Sequence, residues 1–104
     1  MNKDEIIKEL KILKPKLQKE GFILIGLFGS FAKGKESRDS DIDIVYDIDK
    51  KFLENFGGFR AISKVLDISD KLSKKLHNKI DLVSLSKYGN KRVQKSIKKD
   101  LIYI

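Results

Sequence analysis

The chain has 104 residues and a mass of 12.0 kDa, which leaves room for one domain, residues 1–104, and no second core. It contains no cysteine and one histidine, so disulfides, thiolate metal sites, a cysteine nucleophile and a multi-histidine site are excluded, and a serine nucleophile would lack its usual base. A formal net charge of +8, carried mostly by lysine, favours polyanionic partners such as nucleotides or an acidic protein face.

Asp4 to Lys19 reads as a helix. Ile6, Leu10, Leu13 and Leu17 recur at helical spacing, Pro15 predicts a kink or a new short helix, and Gly21 stops it. Phe22 to Phe28 is a nearly continuous apolar run, the pattern of a central strand covered on both faces. Gly29-Ser30 ends that strand, and Ser30 is expected to cap a short helix over Phe31 to Lys33, closed by Gly34. A polar loop follows from Lys35 to Ser40.

Asp41 to Ile48 alternates. Asp41, Asp43, Val45 and Asp47 fall on one face; Ile42, Ile44, Tyr46 and Ile48 fall on the other. Asp49 to Gly58 reads as loop. A long helix is expected from Phe59 to Leu76, with Ile62, Val65, Leu66, Leu72 and Leu76 as its stripe. His77 reads as a solvent-facing loop residue. Ile80 to Leu85 is a third strand, apolar except for Asp81 and Ser84. A last, basic helix is expected over Asn90 to Lys99, with Lys91, Arg92, Lys95, Lys98 and Lys99. It is followed by the apolar tail Leu101 to Ile104, expected to pack on the sheet or on the first helix.

These elements make an α/β domain with a small mixed β-sheet flanked by helices. The short connection between the first two strands suits an antiparallel pair. The long, helix-bearing connection to the third suits a parallel crossover. No run approaches the ~18 apolar residues of a membrane span, and the opening Met1-Asn2-Lys3-Asp4-Glu5 is not that of a signal peptide, so a cytoplasmic address is expected.

One constellation carries chemistry. A glycine-serine turn at the end of a buried strand offers free backbone N–H groups to phosphate. Ten residues separate Ser30 from Asp41. Asp41 and Asp43, two apart on a strand, point the same way, and two converging carboxylates repel unless a cation lies between them. Hard oxygen ligands of this kind suit Mg²⁺ with substrate phosphates. Asp81 can complete a three-carboxylate cluster if its strand lies beside that of Asp43. Phosphate cradle and carboxylate-held metal are what nucleotidyl transfer requires.

Leu27-Phe28-Gly29-Ser30-Phe31-Ala32-Lys33-Gly34, followed by Ser40-Asp41-Ile42-Asp43-Ile44, resembles the signature of minimal nucleotidyltransferases of the DNA polymerase beta superfamily. The likeness covers nearly the whole chain, which is similar in size to the stand-alone antitoxin members. The resemblance implies a polymerase beta-like fold and a Mg²⁺-dependent transferase that uses ATP, with two ions. Asp41, Asp43 and Asp81 would bind metal, and Asp81 would also orient or deprotonate the acceptor. Gly29, Ser30, Lys33 and Ser40 would hold the nucleotide, with Arg38 assisting. Lys33 departs from the arginine frequent at its position, so it would meet phosphate as a point charge. The resemblance further implies a helical HEPN-domain ribonuclease toxin as partner, silenced by transfer of AMP to one of its tyrosines. Neutralisation by stoichiometric binding alone is the alternative. Scarce arginine and the lack of an aromatic row argue against direct nucleic-acid binding. Tyr88 and Tyr103 are conceivable self-modification targets.

Overall fold

A computed structural model describes residues 1–37, 40–85, 95 and 99–104. In chain order the elements are α1 (Lys3–Lys19), β1 (Phe22–Phe28), α2 (Gly29–Ala32), β2 (Ile42–Ile48), α3 (Lys50–Asn55), α4 (Phe59–Leu76), β3 (Ile80–Ser84) and β4 (Ile102–Tyr103). The helix expected over Asn90 to Lys99 lies largely outside the described residues, as do Arg38 and Tyr88.

The sheet has four strands in the order β3-β2-β1-β4. β1 pairs antiparallel with β2 and with β4; β2 pairs parallel with β3. The expected mixed sheet is therefore present, and the apolar tail is its fourth strand. Lys14 Nζ, on α1, donates a hydrogen bond to the Ile104 carbonyl and ties the tail down.

α1 runs unbroken through Pro15, with no second helix. Its start is closed by a reciprocal cap: the Asn2 side chain accepts from the Glu5 N–H at 2.9 Å, and Glu5 reaches back to the Asn2 N–H. Ile6 and Leu10 are its fully buried residues.

The lack of alternation in Phe22 to Phe28 has a local cause. The pairing register slips between Leu24 and Gly26, so β1 carries a bulge. Phe22, Leu24 and Leu27 are all fully buried in the core, which alternation without a bulge forbids. Gly26 then lies under the tail. A Cβ there would overlap the Ile102 carbonyl oxygen and meet Leu101 Cδ1 at 2.6 Å.

α3 was hidden in the expected loop. Asp49 caps it, its Oδ1 accepting from the Phe52 N–H at 3.1 Å, and seats Phe52 in the core between Phe22 and Phe56. Replacing Asp49 by Ala is expected to lower unfolding free energy by about 1 kcal/mol, read from the urea midpoint at unchanged m-value.

α4 spans the expected residues with a different buried stripe. Ile68, Leu72 and Leu76 are inward, Ala61 and Val65 pack at the edge, and Ile62 and Leu66 are 60% and 65% exposed. Apolar residues occupy more of this helix than one stripe, and the sheet takes only the set in phase with Ile68. His77 ends α4 in the left-handed region (φ 53°) and is exposed, as expected of a surface residue. No helix among the described residues is long and apolar enough to cross a membrane.

Candidate active site

β1 ends at Phe28, directly opposite Asp43 of β2, and Asp43 is itself paired with Asp81 of β3. Opposed residues share a face, so the sheet places these two carboxyls on the side away from the core residues Ile42, Ile44 and Ile80. The bulge in β1 sets this up. It moves the inward position to Leu27, so that Phe28 stands over Asp43 and the chain turns at Gly29 beside that carboxyl.

Gly29 is held there by two separate requirements. Its φ of +74° is one that residues with a Cβ rarely adopt. A Cβ would also overlap Asp43 Oδ2 and lie 2.9 Å from Asp43 Cγ. The carboxyl of Asp43 thus abuts the bare backbone of the glycine-serine turn.

Asp43 is half-buried, and its pKa is raised from 3.8 to about 6. Burial is the largest cause; the charge of Asp81, a hydrogen bond with Asp81 and the charge of Asp41 follow. Two carboxyls in contact across a parallel ladder share a proton well and share two negative charges badly. A divalent cation would relieve that repulsion, and the oxygen-only donor set would suit a hard ion such as Mg²⁺. The cluster differs from the expected one in one respect. Among the described residues, no three Asp, Glu or His side chains converge as a ready-made metal cage. Asp43 and Asp81 touch, whereas Asp41 acts on Asp43 through its charge. Asp41 precedes the first paired residue of β2, Ile42, so the ladder does not hold its side chain in the pleat.

The nucleotide-binding expectations divide as well. α2 begins at Gly29, with no side-chain cap, so Ser30 lies inside the first turn and does not cap it. Among the described residues the Ser30 hydroxyl makes no side-chain hydrogen bond, while its carbonyl accepts from the Lys35 N–H at 2.8 Å. Lys33, at the end of α2, is paired with Asp100 at 3.4 Å, both partly exposed. Ser40 turns its hydroxyl toward its own loop: Oγ accepts from the Ser37 N–H at 2.8 Å and lies 3.2 Å from Ser37 Oγ. Its hydroxyl is engaged there and not with the carboxyls. Asp100 was not anticipated; a lone acid beside an apolar tail carries no signal of its partner.

Comparison with known proteins gives the family and the fold. The family model described as polymerase beta, nucleotidyltransferase, matches residues 10–104. A Methanocaldococcus jannaschii protein, MJ1379, named as a candidate protein adenylyltransferase, is 38% identical over 102 residues, covering 98% of this chain and 93% of that one. A solved minimal nucleotidyltransferase, itself so assigned by inference, superposes with a TM-score of 0.74 at 20% identity, over 100% of this chain and 97% of the other, a likeness of fold. A chain from the crystal structure of a toxin-antitoxin with AMP-PNP superposes with a TM-score of 0.61 at 26% identity, over 99% of this chain and 72% of that chain.

Proposed function

The chain belongs to the polymerase beta nucleotidyltransferase family, and from that premise we propose that it is a protein adenylyltransferase antitoxin, transferring AMP from ATP to a tyrosine of a helical HEPN-domain toxin. The observation that carries the reading is the register that sets Asp43 beside Asp81 and against the bare backbone of Gly29. Relatives point the same way: MJ1379 is named for protein adenylyl transfer, and the toxin-antitoxin neighbour was crystallised with an ATP analogue.

In this reading the N–H groups of the Gly29-Ser30 turn and the Ser30 hydroxyl bind the terminal phosphates. Lys33 exchanges Asp100 for a phosphate oxygen. That exchange is cheap, because a partly exposed ion pair contributes about 1 kcal/mol or less. Mg²⁺, two ions in all, would be held by Asp43 and Asp81 with Asp41 beside them, and would neutralise the triphosphate. Asp81, farthest from the phosphate turn, orients the acceptor hydroxyl and takes its proton.

The test is the melting temperature of the purified chain with AMP-PNP, with and without Mg²⁺. A ligand at a hundredfold excess over its Kd is expected to raise it by about 10 °C. The rise should require Mg²⁺ and vanish in the Asp41→Asn/Asp43→Asn chain. A rise unchanged in that variant would sink the assignment. If the variant still neutralises a partner toxin, stoichiometric binding replaces catalysis as the function.

A further inference from the structure

We propose that Tyr103 is itself an acceptor of AMP, modified by the active site of a second copy of this chain; the inference rests on the nucleotidyltransferase reading of the Asp43–Asp81 site. Tyr103 is 65% exposed. Tyr46, by contrast, is half-buried and stacked on Phe22 with ring centroids 4.7 Å apart. Its hydroxyl is not presentable; that of Tyr103 is.

The sheet register places Tyr103. It lies opposite Gly26 on β4, and Gly26 shares its face with Phe28, which lies opposite Asp43. Tyr103 therefore stands on the same face of the sheet as the two carboxyls. Two residues along and two strands across, its Cα is roughly 12 Å from that of Asp43. The residue it faces across the ladder, Gly26, has no side chain to lie against the ring. β4 is the edge strand, so among the described residues no further strand covers Tyr103, while the Lys14–Ile104 hydrogen bond and the bond from the Ile104 N–H to the Ile25 carbonyl hold the segment in place.

In-line geometry decides which copy reacts. The attacking and leaving oxygens of a phosphoryl transfer lie on opposite sides of phosphorus. The phosphates lie at the Gly29-Ser30 turn, at the end of β1, so the acceptor must arrive from the β3 side, past Asp81. Tyr103 stands on the β4 side, with β1 between it and the carboxyls. Its own site is therefore closed to it, and the site of another copy is open. In the transfer, the Tyr103 phenol oxygen bonds to the α-phosphorus of ATP. The bond from that phosphorus to the α,β-bridging oxygen breaks and pyrophosphate leaves. The phenolic proton passes to Asp81 and on to solvent.

A mixing experiment tests this. The Tyr103→Phe chain supplies an intact site without the acceptor; the Asp43→Asn chain supplies the acceptor without a working site. With Mg²⁺ and ATP labelled on the α-phosphate, the Asp43→Asn chain should gain AMP at Tyr103, located by peptide mass spectrometry. The parent chain should label itself at a rate per chain that falls in proportion on dilution. Label on the parent alone, at a rate indifferent to dilution, would show attack within one chain and overturn the proposal, as would label confined to Tyr88 or another residue. No label despite a Mg²⁺-dependent rise in melting temperature with AMP-PNP overturns the proposal and leaves the underlying reading standing. Absence of that rise overturns both.

Discussion

Replacing Asp43 by Asn is expected to lower nucleotidyl transfer by about 10³-fold and, at pH 7.5 without metal, to raise the melting temperature. Activity falls because the amide keeps the shape and loses the charge that a cation and a triphosphate need. Stability rises because the carboxylate is held against its own preference, partly buried and in contact with Asp81. The folded state binds the Asp43 proton more tightly than the unfolded chain does, with a pKa of about 6 against 3.8. The penalty is thus absent below pH 3.8, grows as pH rises from there to 6, and is fully present above 6. Calorimetry of both chains at pH 3.5, 5 and 7.5 checks the sign: the melting curves should coincide at the lowest pH, given roughly equal unfolded states, and separate at the highest, with the variant above. Metal-dependent nucleotide binding by the parent should weaken as pH falls through 6, because the ligand must lose its proton to bind. A variant that melts below the parent at pH 7.5 would mean that the carboxylate supports the fold, and the strained-pair account would be wrong.

The Gly29→Ala chain is expected to fold, to lose nucleotide binding, and to transfer about 10²-fold more slowly, because a displacement of about 1 Å at a reacting group has that effect. Its methyl meets the Asp43 carboxyl, which must move, and with it the contact to Asp81. A second substitution separates this from simple backbone strain. Gly34 has a similar φ, +69°, with nothing within 4 Å of the position a Cβ would take. Gly34→Ala should therefore lose about 1–2 kcal/mol of stability and keep its activity. Comparable losses of activity in both chains would show that the left-handed turn, and not the space beside Asp43, is what the site requires.

The residues of this candidate site are largely local patterns in the sequence. Gly29-Ser30 and Asp41-x-Asp43 are local patterns, and the strand that carries Asp81 has a composition of its own. The lengths of the connections foretold one antiparallel and one parallel pairing, because a short link can only reverse a strand while a long one can cross over. Residue type and spacing determined these features, since they depend on the chain's immediate neighbours. The tertiary structure decided who stands opposite whom. The bulge before Gly26 exists only in the pairing of β1 with β2, yet it sets which side of β1 is buried and brings Gly29 against Asp43. The side of α4 that is buried was undetermined by periodicity, because its apolar residues satisfy two overlapping stripes and the sheet accepts one. The separation of Asp41 from the Asp43–Asp81 pair, the engagement of Lys33 by Asp100, and the place of Tyr103 on the face that carries Asp43 and Asp81 all join residues remote in sequence or depend on register. Local propensity contains no information about such contacts, because their energies exist only once the sheet has closed.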